Sequence, residues 1–130
     1  MDLDSMQRIL EQSTAEGRPI WEIVLDADVE NRMTTRKASM EKMRATWRAM
    51  VESAEGYDGD RRSLSGLVGG DGERMRAYYA SHESIGGAFL GEVIAAAISM
   101  GENNACMRRI VAAPTAGACG VLPAVLIPLW

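Results

Sequence analysis

Between Met33 and Ala54, apolar side chains recur at every seventh position: Met33, Met40, Trp47 and Ala54, with Met43 and Met50 between them. This spacing puts all of them on one side of an α-helix, and it fits no strand, whose faces alternate every second residue. Thr34 or Thr35 can open the helix, which is predicted to run to about Gly56. Arg36, Lys37, Glu41, Lys42, Arg44 and Arg48 form its solvated face, with Glu41 near enough to Arg44 for weak support. Such a seam is met by a second helix, parallel or antiparallel. A methionine stripe of this kind reads as core rather than as a binding groove.

Helical signals continue on both sides. Asp4 or Ser5 can cap a first helix that carries Met6, Ile9 and Leu10 on one face and stops at Gly17. Pro19 can start a second, with Ile20, Ile23, Val24 and Ala27 inward, Glu22, Asp26 and Asp28 outward, and an end near Asn31. Tyr57 to Gly66 reads as a loop, which separates a helical N-terminal unit (1–56) from a site-bearing part (57–130) of one partial domain. Asp71 can cap a helix over Glu73–Ala80. Ser84 or Gly86 leads into a helix over Ala88–Met100 that is apolar almost all round, with Glu92 its one charge, expected at an exposed edge. Gly101-Glu102 is predicted to end that helix, and Asn103 or Asn104 to cap another over Ala105–Ala112 that holds Arg108 and Arg109 at its middle.

Composition narrows the class. Aromatics are 5% of the 130 residues, beside nine Met and 13 Gly, which favours closely packed helices over a β-sandwich. With 47% apolar and 25% charged residues, the chain is long enough for one domain with a real core and too short for two ordinary ones. The expected fold is all-α, with six or seven helices and glycine-rich loops. A net charge of −4 without a basic stripe argues against nucleic-acid binding. Two cysteines and an acidic start, Met1-Asp2-Leu3-Asp4, point to free thiols in a reducing cytoplasm. From Ala118 to Trp130 no residue is charged, but Pro123 and Pro128 interrupt a run too short to cross a bilayer. An apolar end of this kind leads us to expect further sequence or a covering partner.

Two glycine-bearing stretches could carry chemistry. In Leu67-Val68-Gly69-Gly70-Asp71-Gly72, glycines lead into a helix start, where bare amides attract an anion; the plainer reading is a glycine turn with Asp71 as an N-cap. In Pro114-Thr115-Ala116-Gly117-Ala118-Cys119-Gly120, Pro114 holds Ala113 extended and Thr115 adds a hydroxyl. Gly117 and Gly120 are expected to allow positive φ and close approach to a bound group; here the plainer reading is a tight interhelical turn. His82, the one histidine, lies in the hinge Ser81-His82-Glu83-Ser84 and reads as solvated.

Read together, these stretches point to a family. Val111 to Ala124 closely resembles a signature of the alpha chain of iron–sulfur-dependent L-serine dehydratases, and Ser65-Gly66-Leu67-Val68-Gly69-Gly70-Asp71 resembles the same family's Gly-Gly-Asp segment, in the expected order. The family commonly has Gly where Arg108 stands and often Thr where Val68 stands. The resemblance implies conversion of L-serine to pyruvate and ammonia. An iron of a [4Fe–4S] cluster would act as Lewis acid on the serine hydroxyl, a base would remove the Cα proton, and the aminoacrylate would hydrolyse unaided. It also implies a site for the substrate carboxylate and amine built from Ser65, Gly69, Gly70 and Asp71 in one loop and Pro114, Thr115, Gly117 and Gly120 in the other. The cluster cysteines would lie downstream, since Cys106 and Cys119 form no C-x₂-C pair. On this reading the chain is the N-terminal half of an alpha subunit. It would be inactive alone, joined in the enzyme by the rest of that subunit and a beta chain or domain, and homo-oligomeric. A rival reading makes the methionine seam and apolar tail an oligomerisation or interaction module without catalysis. A phosphate-binding module is weaker, because the Lys-Ser/Thr of a P-loop is missing and Asp71 would repel the anion.

Overall fold

A computed structural model of the chain describes residues 4–82 and 85–130. Among these it contains six α-helices, a short 3-10 turn and no strand: α1 (Met6–Glu16), α2 (Ile20–Asn31), α3 (Arg36–Glu55), α4 (Asp71–Ser81), α5 (Gly87–Ala105), the turn Ala116–Ala118, and α6 (Val121–Leu129). The all-α expectation is met, at the lower helix count. The chain forms two compact units, one up to Ala45 and one from Thr46 onward, so α3 gives half its length to each. No helix among the described residues is long and apolar enough to cross a membrane.

In the first unit the local signals act as expected. Ser5 Oγ accepts the Arg8 N–H at 3.3 Å, and Gly17 ends α1 at φ 62°. Pro19, at φ −66°, leads into α2. The inner face of α2 differs from the one predicted. Ile23, Leu25 and Ala27 are buried, whereas Ile20 and Val24 remain 42% and 44% exposed. The reason is electrostatic. Asp26, expected outward, is half-buried because it accepts from Arg18 Nη2 at 2.6 Å and from Arg36 Nε at 2.8 Å, and Ser39 Oγ donates to Asp28 at 2.5 Å. Arg18 also reaches Glu16 at 2.9 Å and Glu22 at 3.1 Å.

Thr35 Oγ1 caps α3 by accepting the Ala38 N–H at 3.2 Å. The methionine seam is not a continuous core stripe: Met33 precedes the helix at φ 49° and is 96% exposed, and Met43 is 65% exposed. The first half of α3 meets α2 through Arg36 and Ser39 instead, and the buried residues of α3 are Ala49, Met50 and Ser53, all in its second half.

The Arg18 cluster has a measurable consequence. Hydrogen bonds from Arg18 and then Arg36 hold the Asp26 carboxyl below its usual range. Its contribution to stability is therefore present above the unfolded-state value, about 4, and is lost as pH falls through the lower folded-state value. Arg18→Met is expected to move the Asp26 titration midpoint, followed by carboxyl NMR, upward. A midpoint that stays where it was would remove Arg18 as the main cause.

In the second unit α5 packs against both α4 and α6. Apart from Met100, its buried residues are small or polar (Gly91, Ala95, Ser99, Glu102 and Asn103), while Phe89 and Leu90 at its start are about half exposed. A Cβ on Gly72 would lie 2.2 Å from Ser99 Oγ, so α4 and α5 approach at a distance only glycine permits. Glu92 is exposed, as expected, and faces Arg76 at 3.7 Å. The opening of α5 at Ser84 lies outside the described residues, as does the Glu83-Ser84 part of the hinge; Gly86 precedes the helix directly. His82 is exposed and stacks on Tyr78, with ring centroids 4.6 Å apart.

One sequence expectation fails here. The helix predicted over Ala105–Ala112 does not form: α5 passes through Gly101-Glu102 and ends at Ala105, Met107 turns at φ 60°, and Arg108 and Arg109 lie outside any helix. Buried hydrogen bonds made by Glu102 and Asn103 (below) favour continuing the helix and outweigh the cost of Gly101, about 1 kcal/mol. In α6, Pro123 and Ala124 are buried, but Val121, Leu122, Val125, Leu126 and Leu129 are 39–65% exposed, so its outer face is apolar. Trp130 meets Trp47 edge-to-face at 6.0 Å.

Candidate functional site

The first glycine-bearing stretch is the loop before α4. Ser63 and Ser65 tie its tip: their hydroxyls lie 3.1 Å apart, Ser63 Oγ accepts the Val68 N–H at 3.2 Å, and Ser65 Oγ accepts the Leu67 N–H at 3.4 Å. Gly69 sits at φ 140° and Gly70 at φ 82°. A Cβ on Gly69 would lie 2.1 Å from the Arg61 carbonyl oxygen, so the chain can turn here only without a side chain.

Asp71 was expected to cap α4 and is instead its first helical residue, with Gly70 at the cap position; its carboxylate pairs with Arg74 one turn on. The amides at the helix start are not bare. Glu102 Oε1 accepts the Asp71 N–H at 2.6 Å, and Glu102 Oε2 accepts the Gly72 N–H at 3.2 Å. Tyr57 completes the group: its hydroxyl donates to Glu102 Oε2 at 2.5 Å and accepts the Glu73 N–H at 3.3 Å. Burial, and then the Glu102 carboxylate, push the Tyr57 hydroxyl above its ordinary value. The anion that the α4 N-terminus attracts is thus the chain's own. Local sequence marks Glu102 only as a helix end, because its hydrogen-bond partners lie about 30 residues or more away along the chain. The available signal was a carboxylate directly following an apolar stretch whose only other charge is Glu92.

The second stretch follows α5. The Ala113–Pro114 peptide is cis, and Thr115 is extended, its carbonyl accepting the Ala118 N–H at 3.1 Å to close the Ala116–Ala118 turn. Neither Gly117 nor Gly120 has the positive φ expected of it: Gly117 lies inside the 3-10 turn, and Gly120 precedes α6 at φ −84°. Gly120 is needed for closeness instead, since a Cβ there would lie 3.0 Å from the Ala97 carbonyl oxygen. A Cβ on Gly117 would make an ordinary contact with Thr115 Oγ1, at 3.9 Å.

The last turn of α5 links the two loops. Glu102 holds the start of α4; Asn103 Nδ2 donates to the Ser53 carbonyl at 2.7 Å; Asn104 Nδ2 donates to the Ala116 carbonyl at 3.3 Å. Ser53 Oγ in turn donates to the Arg109 carbonyl at 2.7 Å, fixing the chain that leads into the second loop. Both loops therefore lie at the same end of α5. Of the predicted site residues, Ser65, Asp71, Pro114, Thr115 and Gly117 are exposed, Gly69 is half-buried, and Gly70 and Gly120 are buried. Asp71 lines a wide surface groove of about 680 Å³ with Arg74, Met75, Tyr78, Tyr79 and Ile98. A cavity of about 90 Å³ at the end of α3, lined by Glu52, Ser53, Gly56, Arg108 and Arg109, includes none of the eight.

The thiols do not fit an iron–sulfur cluster. Cys106 is 7% exposed and Cys119 only 2%, and Cys119 Sγ is directed at the Met100 carbonyl oxygen at 3.8 Å. Burial raises the Cys119 pKa, which opposes the thiolate form a cluster needs. No group of three or more His, Cys, Asp or Glu side chains among the described residues could hold a metal ion.

Residues 15–130 match the family model for the serine dehydratase alpha chain. The chain is 33% identical over 126 residues, 96% of its length, to the L-serine dehydratase alpha chain of Peptoniphilus asaccharolyticus, and that alignment covers 43% of the relative. It is 41% identical over 64 residues, 49% of its length, to the probable L-serine dehydratase alpha chain of Bacillus subtilis (strain 168), covering 21% of that protein. The chain thus spans less than half the length of these curated relatives. No solved structure matches it. Over nearly all of its sequence, both glycine-bearing loops included, the chain belongs to the serine dehydratase alpha chain family.

Proposed function

We propose that this chain supplies part of the substrate-binding frame of an L-serine ammonia-lyase, which converts L-serine to pyruvate and ammonia. The observation that carries the reading is the pair of loops at one end of α5, 65–71 and 114–120, within a chain of the serine dehydratase family. Ser65, Gly69, Gly70, Asp71, Pro114, Thr115, Gly117 and Gly120 would supply backbone groups and hydroxyls around the substrate's carboxylate and amine. The α4 helix start already holds Glu102, so the substrate carboxylate falls to the second loop and to Ser65.

Iron–sulfur dependence is part of the same proposal, with all cluster ligands outside these 130 residues, since the two thiols here do not suit one. The chain alone is then inactive. It works with the remainder of a longer alpha chain and with a beta chain or domain, in a homo-oligomer, in the cytoplasm where its cysteines stay reduced.

The test uses the full-length alpha chain with its beta chain, prepared anaerobically with iron and sulfide. Pyruvate is expected from L-serine, none from the 130-residue chain alone, and at least about tenfold lower kcat/KM for Thr115→Ala. A full-length, iron-loaded protein that leaves L-serine untouched overturns the reading. The exposed apolar face of α6 favours a second reading, an interaction module without catalysis. That reading predicts self-association in light scattering and no iron or sulfide uptake by the full-length protein.

A further inference from the structure

We propose that Glu102 and Asn104 are positioning residues, which hold the two substrate loops in a fixed mutual register from a single turn of α5; this rests on the lyase reading of those loops. Glu102 is 4% exposed, and its carboxylate meets three donors: the Asp71 and Gly72 amides and the Tyr57 hydroxyl. An ionised carboxylate only accepts hydrogen bonds, so the chemistry of this side chain matches its surroundings group for group. It sets where Gly70 hands over to α4, and with that the direction of Asp71.

Asn104 does the corresponding work on the other loop through the Ala116 carbonyl, at 3.3 Å. Side chains two positions apart leave a helix ~200° apart around its axis, so the two tethers hold loops on different sides of α5. Asn103, between them, is 4% exposed and binds the Ser53 carbonyl at 2.7 Å, which anchors the turn itself to α3. The site loops are therefore referenced to one rigid turn. This matters for a small substrate, because its few binding contacts are made together only when the groups that hold it keep to within about 0.5 Å of the productive geometry.

The test compares wild type, Glu102→Gln and Asn104→Ala in the full-length alpha chain with its beta chain. Glutamine keeps the shape of Glu102 and leaves one of its donors without an acceptor; Asn104 is only half-buried, so its loss leaves the core intact. The expected result is a KM for L-serine raised about tenfold by Glu102→Gln and about threefold by Asn104→Ala, with kcat within about twofold, as for lost ground-state and transition-state binding alike. The double variant is expected to be non-additive, since both act on one register. A purely structural role would reduce the number of active molecules, lowering kcat with KM unchanged, and that outcome overturns the proposal.

If the wild-type protein does not consume L-serine, the lyase reading fails separately. Hydrogen exchange then decides the positioning claim. Faster exchange at Asp71 and Gly72 in Glu102→Gln, and across Ala116–Ala118 in Asn104→Ala, supports it; unchanged exchange in both loops removes it.

Discussion

Gly69→Ala is expected to destabilise the unit from Thr46 onward by about 3–5 kcal/mol, the combined scale of a disfavoured backbone conformation and an overpacked contact. The two costs have separate sources. At φ 140° a residue with a side chain is strained wherever it sits, and the added Cβ would lie 2.1 Å from the Arg61 carbonyl oxygen. The obstacle is backbone, which cannot swing aside as the end of a side chain can. It is held in turn by Arg62 Nη1, which donates to the Arg61 carbonyl at 2.9 Å and to the Gly59 carbonyl at 2.8 Å. Gly66 supplies the control. It too has positive φ, at 74°, but nothing lies within 4 Å of where its Cβ would be. Gly66→Ala therefore carries only the left-handed penalty, about 1–2 kcal/mol. Urea unfolding followed by the fluorescence of Trp47 and Trp130, which pack together in this unit, in a Trp21→Phe background, separates the two variants. Equal midpoints for Gly66→Ala and Gly69→Ala would mean that the Arg61 contact is not what requires glycine at position 69.

The same comparison marks what local sequence can and cannot reveal. Helix ends set by a residue's own neighbours were legible: the Ser5 cap, the Gly17 stop and the Pro19 entry all depend on atoms within a few residues. The glycine pair at Gly69 and Gly70 was legible as special, because few uses other than positive φ need two adjacent glycines before a helix. Its setting was not, since the acceptor for the α4 amides lies 31 residues further along, in Glu102. The length of α5 failed for the same reason. Gly101 and two asparagines read as a break, and only the partner of Asn103, the Ser53 carbonyl 50 residues earlier, makes continuation favourable. The methionine spacing was real as a helix signal and misleading as a burial signal, because α3 divides between two compact units and its first half meets α2 through polar groups. In the second loop, local sequence suggests conformational freedom at Gly117 and Gly120, and neither has positive φ. Gly120 needs closeness to α5, and Gly117 sits in a 3-10 turn with room for a Cβ in ordinary contact with Thr115.

Glu102→Ala is expected to cost about 3 kcal/mol or more, since truncating a buried acceptor exacts about 1–3 kcal/mol for each donor left unsatisfied. The Asp71 and Gly72 amides lose their acceptor together. The Tyr57 hydroxyl is only half-buried and can turn to water, so Tyr57→Phe, which removes a single donor to Glu102, is expected to cost about 1 kcal/mol. The pair also predicts how stability responds to alkali. Because burial and the Glu102 carboxylate raise the Tyr57 pKa in the folded state, the unfolded chain releases its phenolic proton first as pH rises. The contribution is therefore complete below the unfolded value, about 10, and is lost as pH climbs through the higher folded value. Tyr57→Phe is expected to flatten that part of the stability–pH curve, measured by urea unfolding between about pH 8 and 12, and Glu102→Ala to flatten it partially by removing the second cause of the shift. Curves for wild type and Tyr57→Phe that run parallel across the window would show that the hydroxyl titrates as it does in the unfolded chain. The Glu102–Tyr57 contact would then not hold the start of α4 in solution.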